Sequence, residues 1–399
     1  MSLSSKRILF SAYAFYPAFG GLEQQIYLLA QEYIKLGFTV DVLTEKLSVD
    51  AQTFEVIEKI NIYRVPFSAK RNFISYLKLL FFLSKFIFEH RNDYDFCILR
   101  AALTLYPLIF GFWKLLHVIT YCTFVTADTG GDADEIIILK RNPLYKLMLP
   151  IFNQNDFFNS ICATNYQHYL DLGFNPDKLT TVANGLNIAP YKKALPPKQV
   201  RTFLYLGRFI KKKGIYELLA AFNKLHQIYP NTKLLLAGDG LEKEAILARI
   251  ACLKSKEAII YKGVVEKKEK EVLYKTCDCV VLPSYSEGFG LVVAEAAIRK
   301  RAVLTTDVAD IKQIYGEKVY YVKKRNVLDL FKQMALIHKT YRSRFFLNRY
   351  DSIIPQFAIR PKAKEILRIC TKTKHRSFNQ THNSRIWSSF ELWHFVCTR

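Results

Sequence analysis

Between Arg7 and Thr306, short apolar runs alternate with amphipathic stretches, and the alternation halts once and then restarts. In the first half RILFSA, FTVDVLT, INIYRV, DFCIL, HVITY and SICAT read as buried strands. The segment LEQQIYLLAQEYIKLG reads as a helix with Leu28, Leu29 and Ile34 on one face and Gly37 as its stop. From Asn184 to Gln199 the periodicity gives way to Asn, Gly, Pro and Lys; then TFLYL, TKLLLAG, AIIYKG, DCVVLPS and AVLTT recur with helical segments between them. Parallel neighbours need a crossover, so this alternation predicts an α/β protein with two doubly wound domains in tandem. We place the domains at residues 1–187 and 188–350, with a helical segment and a basic, aromatic tail at 351–399. Such sheets hold ligands outside the carboxyl ends of their strands, so two facing domains would enclose one in a cleft.

The charge narrows the partners. With 58 Lys+Arg against 35 Asp+Glu the net charge is +23, which calls for an anion: nucleic acid, an acidic membrane surface or a phosphorylated substrate. Half of the residues are hydrophobic, which excludes global disorder. Eight cysteines, at 97, 122, 162, 252, 277, 279, 370 and 397, form no Cys-x-x-Cys pair and are expected to be reduced packing residues of a cytosolic protein.

Two segments imitate membrane signals. KRILFSAYAFYPAFGG has the composition of a signal peptide, but Pro17 and the glycine pair interrupt it, so a buried strand and its turn are expected. Residues 101–127 are apolar, yet Pro107 and Lys114 divide them, leaving less than the roughly 20 residues of a span; a buried helix and then a buried strand fit. RNFISYLKLLFFLSKFIFEHR, Arg71 to Arg91, interleaves Lys78 and Lys85 with aromatics. It reads either as a helix resting on an anionic bilayer or as a domain helix with a basic outer face.

Three segments at strand ends carry the chemistry. PAFGG, Pro17 to Gly21, precedes the first helix, where glycines admit close backbone approach and free amides face an anion. GRFIKKKG, Gly207 to Gly214, offers the planar fork of Arg208 and the point charge of Lys213, both suited to a diphosphate. SEGFGLVVAE, Ser286 to Glu295, places Glu287 in a loop and Glu295 about one turn into the next helix, with Gly288 and Gly290 opening the backbone between them. Two carboxylates beside a phosphate site would accept bonds from sugar hydroxyls; alone, they would equally suit a solvated acidic pair at a positive helix end.

Together these segments resemble those of the retaining GT-B glycosyltransferases of the family 4 type (glycosyl transferases group 1). The pair Glu287 and Glu295 with seven residues between them, the glycine pair Gly20 and Gly21, NGLN at Asn184 to Asn187, and GRFIKKKG all occur in the expected order, from about Arg7 to Met334. The resemblance implies a GT-B fold, two Rossmann-like domains facing a central cleft, with the acceptor on the first and the nucleotide sugar on the second. It implies that Glu287 approaches hydroxyls of the donor sugar and Glu295 holds the ribose. Arg208 and Lys213 would grip the diphosphate, Gly20 and Gly21 would close on it, and amides of Gly288, Phe289 and Gly290 would contact sugar or phosphate.

The resemblance further implies no metal and no cofactor, with a nucleotide-diphosphate sugar as donor substrate rather than nucleic acid as the anionic partner. A glycan or lipid-linked acceptor in bacterial surface polysaccharide, lipopolysaccharide or glycolipid assembly would place the enzyme in the cytoplasm or against the inner face of the plasma membrane. Many relatives carry a histidine after an N-domain strand, whereas here HVITYCTFVTADTGGDADE has none, and Asp132 of its Gly-Gly-Asp turn is the substitute candidate; His117 is expected to be packed. Two rivals stay open: a GT-B nucleotide-sugar epimerase or hydrolase, and a basic nucleic-acid or membrane-binding protein with a degenerate cleft.

Overall fold

The computed structural model describes residues 6–17, 20–46, 50–65, 73–100, 105–127, 139–191, 195–308, 310–343 and 348–378. The first sheet contains β1 (Arg7–Ser11), β2 (Thr39–Glu45), β3 (Phe54–Ile57), β4 (Ile60–Val65), β5 (Phe96–Arg100), β6 (Cys122–Thr126), β7 (Phe157–Ser160) and β8 (Leu179–Thr181), in the order β3-β4-β2-β1-β5-β6-β7-β8. Its helices are α1 (Gly21–Lys35), α2 (Phe73–Glu89), α3 (Leu105–Leu115), α4 (Tyr145–Phe152) and α5 (Ala163–Asp171). All its pairings are parallel except that of β3 with β4, which sets an antiparallel strand at one edge.

The second sheet contains β9 (Thr202–Leu206), β10 (Lys233–Ala237), β11 (Ile259–Tyr261), β12 (Cys279–Leu282), β13 (Ala302–Thr306) and β14 (Tyr320–Val322). Its order is β11-β10-β9-β12-β13-β14, parallel throughout. Helices α6 (Ile215–Ile228), α7 (Lys243–Ala251), α8 (Lys267–Thr276), α9 (Leu291–Ile298), α10 (Ile311–Tyr315) and α11 (Val327–Thr340) complete it. The expected α/β architecture, two Rossmann-like domains, is what forms.

Topology decides where a ligand can sit. Strand order reverses between β9 and β12 in the second sheet and between β1 and β5 in the first, and loops leaving such a switch point diverge to open a crevice. GRFIKKKG follows β9, SEGFG follows β12 and PAFGG follows β1, so all three segments leave switch-point strands.

The chain crosses between domains at NGLN and returns. Leu186 donates its amide to Phe357 and accepts from Ile359, and Gln25 of α1 clips Gly185 at both backbone groups, at 2.8 and 2.9 Å. The last helix, α12 (Ile359–Phe378), then packs on the first domain: Tyr33 donates to the Ala363 carbonyl, and Ile366 and Cys370 join Phe10 and Phe124 in one core. The part of the tail at 379–399 lies outside the described residues.

Two strand frames differ from expectation. HVITY is a turn and approach, with the strand at Cys122–Thr126, and SICAT begins on the last residue of the strand Phe157–Ser160, its residue Ala163 opening α5. In both places apolar residues run through two frames, and periodicity cannot choose between them when both faces are buried. His117, expected to be packed, is exposed with φ +56° in the turn after α3. Cys252, expected to be a packing residue, is exposed.

Candidate active site

The basic turn after β9 is built on a backbone contact. Gly214 has φ +68°, and a Cβ there would stand 2.0 Å from the Pro283 carbonyl oxygen at the end of β12, so the two loops meet through glycine alone. The Tyr285 amide donates to the Lys212 carbonyl at 2.8 Å, and buried Tyr205 donates its hydroxyl to the Arg208 carbonyl at 2.9 Å. These contacts fix Arg208, Lys212 and Lys213 beside Glu287.

The charges there do not balance. Lys213 pairs with Glu287 at 2.5 Å, both side chains less than a fifth exposed. Arg208 is exposed, and among the described residues its guanidinium makes no hydrogen bond or ion pair. Lys212, half-buried, likewise makes no ion pair among the described residues; burial, then Arg208 and Lys213, outweigh the attraction of Glu287 and push its ammonium below the usual lysine range. Among the described residues, three cations stand around the one carboxylate of Glu287, an arrangement suited to an anion.

The SEGFG loop adds amides to that demand. Gly290, the residue before α9, has φ +67°, and the hydroxyl of buried Tyr315 donates to the carbonyls of Phe289 (2.9 Å) and Gly290 (3.2 Å). Phe289 itself is buried edge-on against Phe357. Among the described residues, the amides from Glu287 through Val292, Gly288 included, donate no hydrogen bond, as befits the open start of a helix. Across the cleft, a Cβ on Gly21 would touch Leu291 at 3.0 Å, so the first turn of α1 faces the first turn of α9. The Gly20 amide is already engaged by the Glu23 carboxylate at 2.8 Å.

Glu295 is in a different state. Its side chain is 3% exposed and accepts from Lys270 at 2.6 Å, from Gln24 at 2.8 Å and from the Tyr274 hydroxyl at 2.7 Å. Burial alone would raise its pKa; Lys270, Gln24 and Arg299 together outweigh that and hold the carboxyl below its usual range. Gln24 belongs to α1 and Lys270 to α8, so this carboxylate joins the two domains. Behind it Arg299 donates to the Glu295 carbonyl at 2.7 Å, lies between the rings of Tyr191 and Tyr274, and pairs with Glu271.

The structure thus gathers Arg208, Lys213, Glu287, Gly288, Phe289 and Gly290 along one edge, with Gly21 opposite and Glu295 buried beneath. Asp132 lies outside the described residues. Sequence reading missed Lys212, although it stands inside GRFIKKKG. It also missed Gln24, Lys270 and Tyr274, for which no local signal exists.

Comparison with known proteins agrees with this geometry. The Glycosyltransferase Family 4 model matches residues 19–189, and the Glycosyl transferases group 1 model matches residues 190–345. A glycogen synthase of Mycobacterium tuberculosis is 29% identical over 154 residues, 38% of this chain and 37% of that one, so the match spans little more than a third of that relative. The O-antigen chain mannosyltransferase C of Escherichia coli is 25% identical over 334 residues, covering 76% of this chain and 80% of its own. The structure of Anabaena HepE in complex with UDP and glucose superposes with a TM-score of 0.71 at 14% identity, over 92% of this chain and all of that one. Two family models in the right order, on two sheets with their loops at the switch points, make this chain a member of the group 1, family 4 type of GT-B glycosyltransferases.

Proposed function

We propose that the chain transfers a sugar, with retention, from a nucleotide-diphosphate donor to a glycan or lipid-linked acceptor in bacterial surface polysaccharide, lipopolysaccharide or glycolipid assembly, at the inner face of the plasma membrane. The observation that carries this reading is the cluster of Arg208, Lys212 and Lys213, with Glu287 as its ion-pair partner among the described residues, against the amide-lined loop of Glu287 to Gly290. Departure of a nucleoside diphosphate breaks the bond from the anomeric carbon to the phosphate oxygen and leaves charge on that oxygen. Preorganised cations and amides stabilise this charge more in the transition state than in the ground state. The acceptor hydroxyl then bonds to the same face of the sugar and gives its proton to the departing phosphate.

In this reading Glu287 keeps Lys213 oriented in the free enzyme and accepts from donor sugar hydroxyls in the complex. Glu295 reaches the ribose by exchanging Gln24 for a hydroxyl, and Asp132 contacts the sugar or acceptor. The likeness to an O-antigen chain mannosyltransferase supports a glycan acceptor. A thermal-shift screen against UDP, GDP and ADP sugars tests the proposal. A ligand at 100 times its Kd stabilises the folded state by about 2.7 kcal/mol. A folded wild type whose Tm moves with none of the donors would sink the reading.

A further inference from the structure

Helix α2 is apolar on two faces and covered on one. Leu79, Leu83, Phe86 and Ile87 fill the core beneath it, while Ile74, Leu77, Phe81 and Phe88 face outward and are exposed, Phe81 by 62%. A helix that is hydrophobic all round is normally buried on every side. The outward stripe continues onto α3 through Phe88, Trp113 and Phe112, whose rings succeed one another at 6.4 and 5.7 Å, and reaches exposed Leu115 and Leu116.

It extends onto α4 as well. Asn155 donates to the Pro107 carbonyl at 2.9 Å, and a Cβ at Gly111 would abut the Ile151 carbonyl, so α4 runs antiparallel to α3. A further step of one turn along each brings Leu147, 74% exposed, level with Leu115. Lys78, Lys85, Lys140, Arg141 and Lys146 on these helices and their flanks are exposed, and Glu89 is the one acidic residue among 73–91, 105–117 and 139–152. No described helix is long and apolar enough to cross a membrane.

We propose that the outer face of α2, α3 and α4 docks the first domain onto an anionic lipid bilayer, its apolar stripe entering the headgroup boundary and its lysines meeting lipid phosphates. Charge selects this occupant: a second copy would bring the same cations face to face. The choice of a membrane-borne acceptor rests on the function proposed above; the surface itself does not.

The test is co-sedimentation of the full chain with vesicles of phosphatidylglycerol and phosphatidylcholine, against vesicles of phosphatidylcholine alone. Binding should require the anionic lipid, weaken with salt, and fall roughly tenfold or more in Phe81→Ser with Leu147→Ser and in Lys78→Glu with Lys85→Glu. Leu328→Ser, at a 51% exposed site on α11 of the other domain, should leave it unchanged. Equal sedimentation with both vesicle types, equal loss in Leu328→Ser, or a solution dimer dissociated by Phe81→Ser would overturn the proposal. Donor-induced thermal shifts measured on the same variants read the catalytic assignment separately, since these residues lie outside the cleft.

Discussion

Glu287 sits in the loop after β12 with Lys213 as its partner and 18% of its side chain open to solvent, whereas Glu295, just over a turn into α9, is enclosed by Gln24, Lys270 and Tyr274. The two belong to one motif and carry the same charge. Their surroundings assign them different work. A partly open carboxylate with one ion-pair partner can exchange it for a ligand hydroxyl at small cost, while a buried one with partners from both domains holds the cleft's floor together. A motif written as two like residues therefore mixes a group that meets ligand with a group that also supports the fold.

Breaking the buried member should cost most. Glu295→Ala takes the carboxylate from Lys270 and the acceptor from Gln24 and Tyr274, and loss of one partner of a buried pair costs about 3 to 5 kcal/mol. At about 2 to 4 °C per kcal/mol for a domain of this size, Tm should drop by roughly 10 °C in a thermal melt. Arg208→Ala should invert the pattern. Its guanidinium is exposed and unpartnered among the described residues, so Tm should hardly move, while kcat should fall by about 10² to 10³ for loss of one preorganised donor to developing charge. Similar melting losses in both variants would erase the contrast.

Acid sharpens it further. The Glu295 pKa is lower in the folded chain than its ordinary value of 4.5, so its contribution to stability is complete above that value and is lost as pH falls through the folded pKa. Melting of the wild type should weaken below about pH 4.5, and Glu295→Gln should show a flatter acid limb. A limb of unchanged slope would mean that other carboxylates set it.

Much of this was legible beforehand, and the reasons are local. Gly-bearing loops after TFLYL and DCVVLPS announced the switch-point crevice, because turn chemistry and strand ends are written in neighbouring residues. The strand at Cys122–Thr126 was read five residues early, since HVITYCTFVT is apolar in either frame. The antiparallel edge strand Phe54–Ile57 was missed altogether; a four-residue strand beside a two-residue turn carries little periodicity. What surrounds Glu295 was beyond reach: Gln24 is 271 residues away in sequence, and only the closure of one domain on the other brings its amide to the carboxylate.

The smallest effect concerns the residue passed over inside a motif already singled out. Lys212 shares its turn with Lys213 but among the described residues forms no ion pair, and its ammonium is depressed by burial and by Arg208 and Lys213. A diphosphate arriving at this cluster would favour the charged form and be held by it in ground and transition states alike. Lys212→Met should then raise the donor KM by about fivefold to tenfold, near 1 kcal/mol, with kcat close to wild type. The advantage of wild type over variant should shrink as pH rises toward the lowered lysine pKa, because the charge that distinguishes them is being lost. A change in kcat with KM unmoved would instead place Lys212 at the developing charge and make it the equal of Arg208; no change in either would confine the phosphate grip to Arg208 and Lys213.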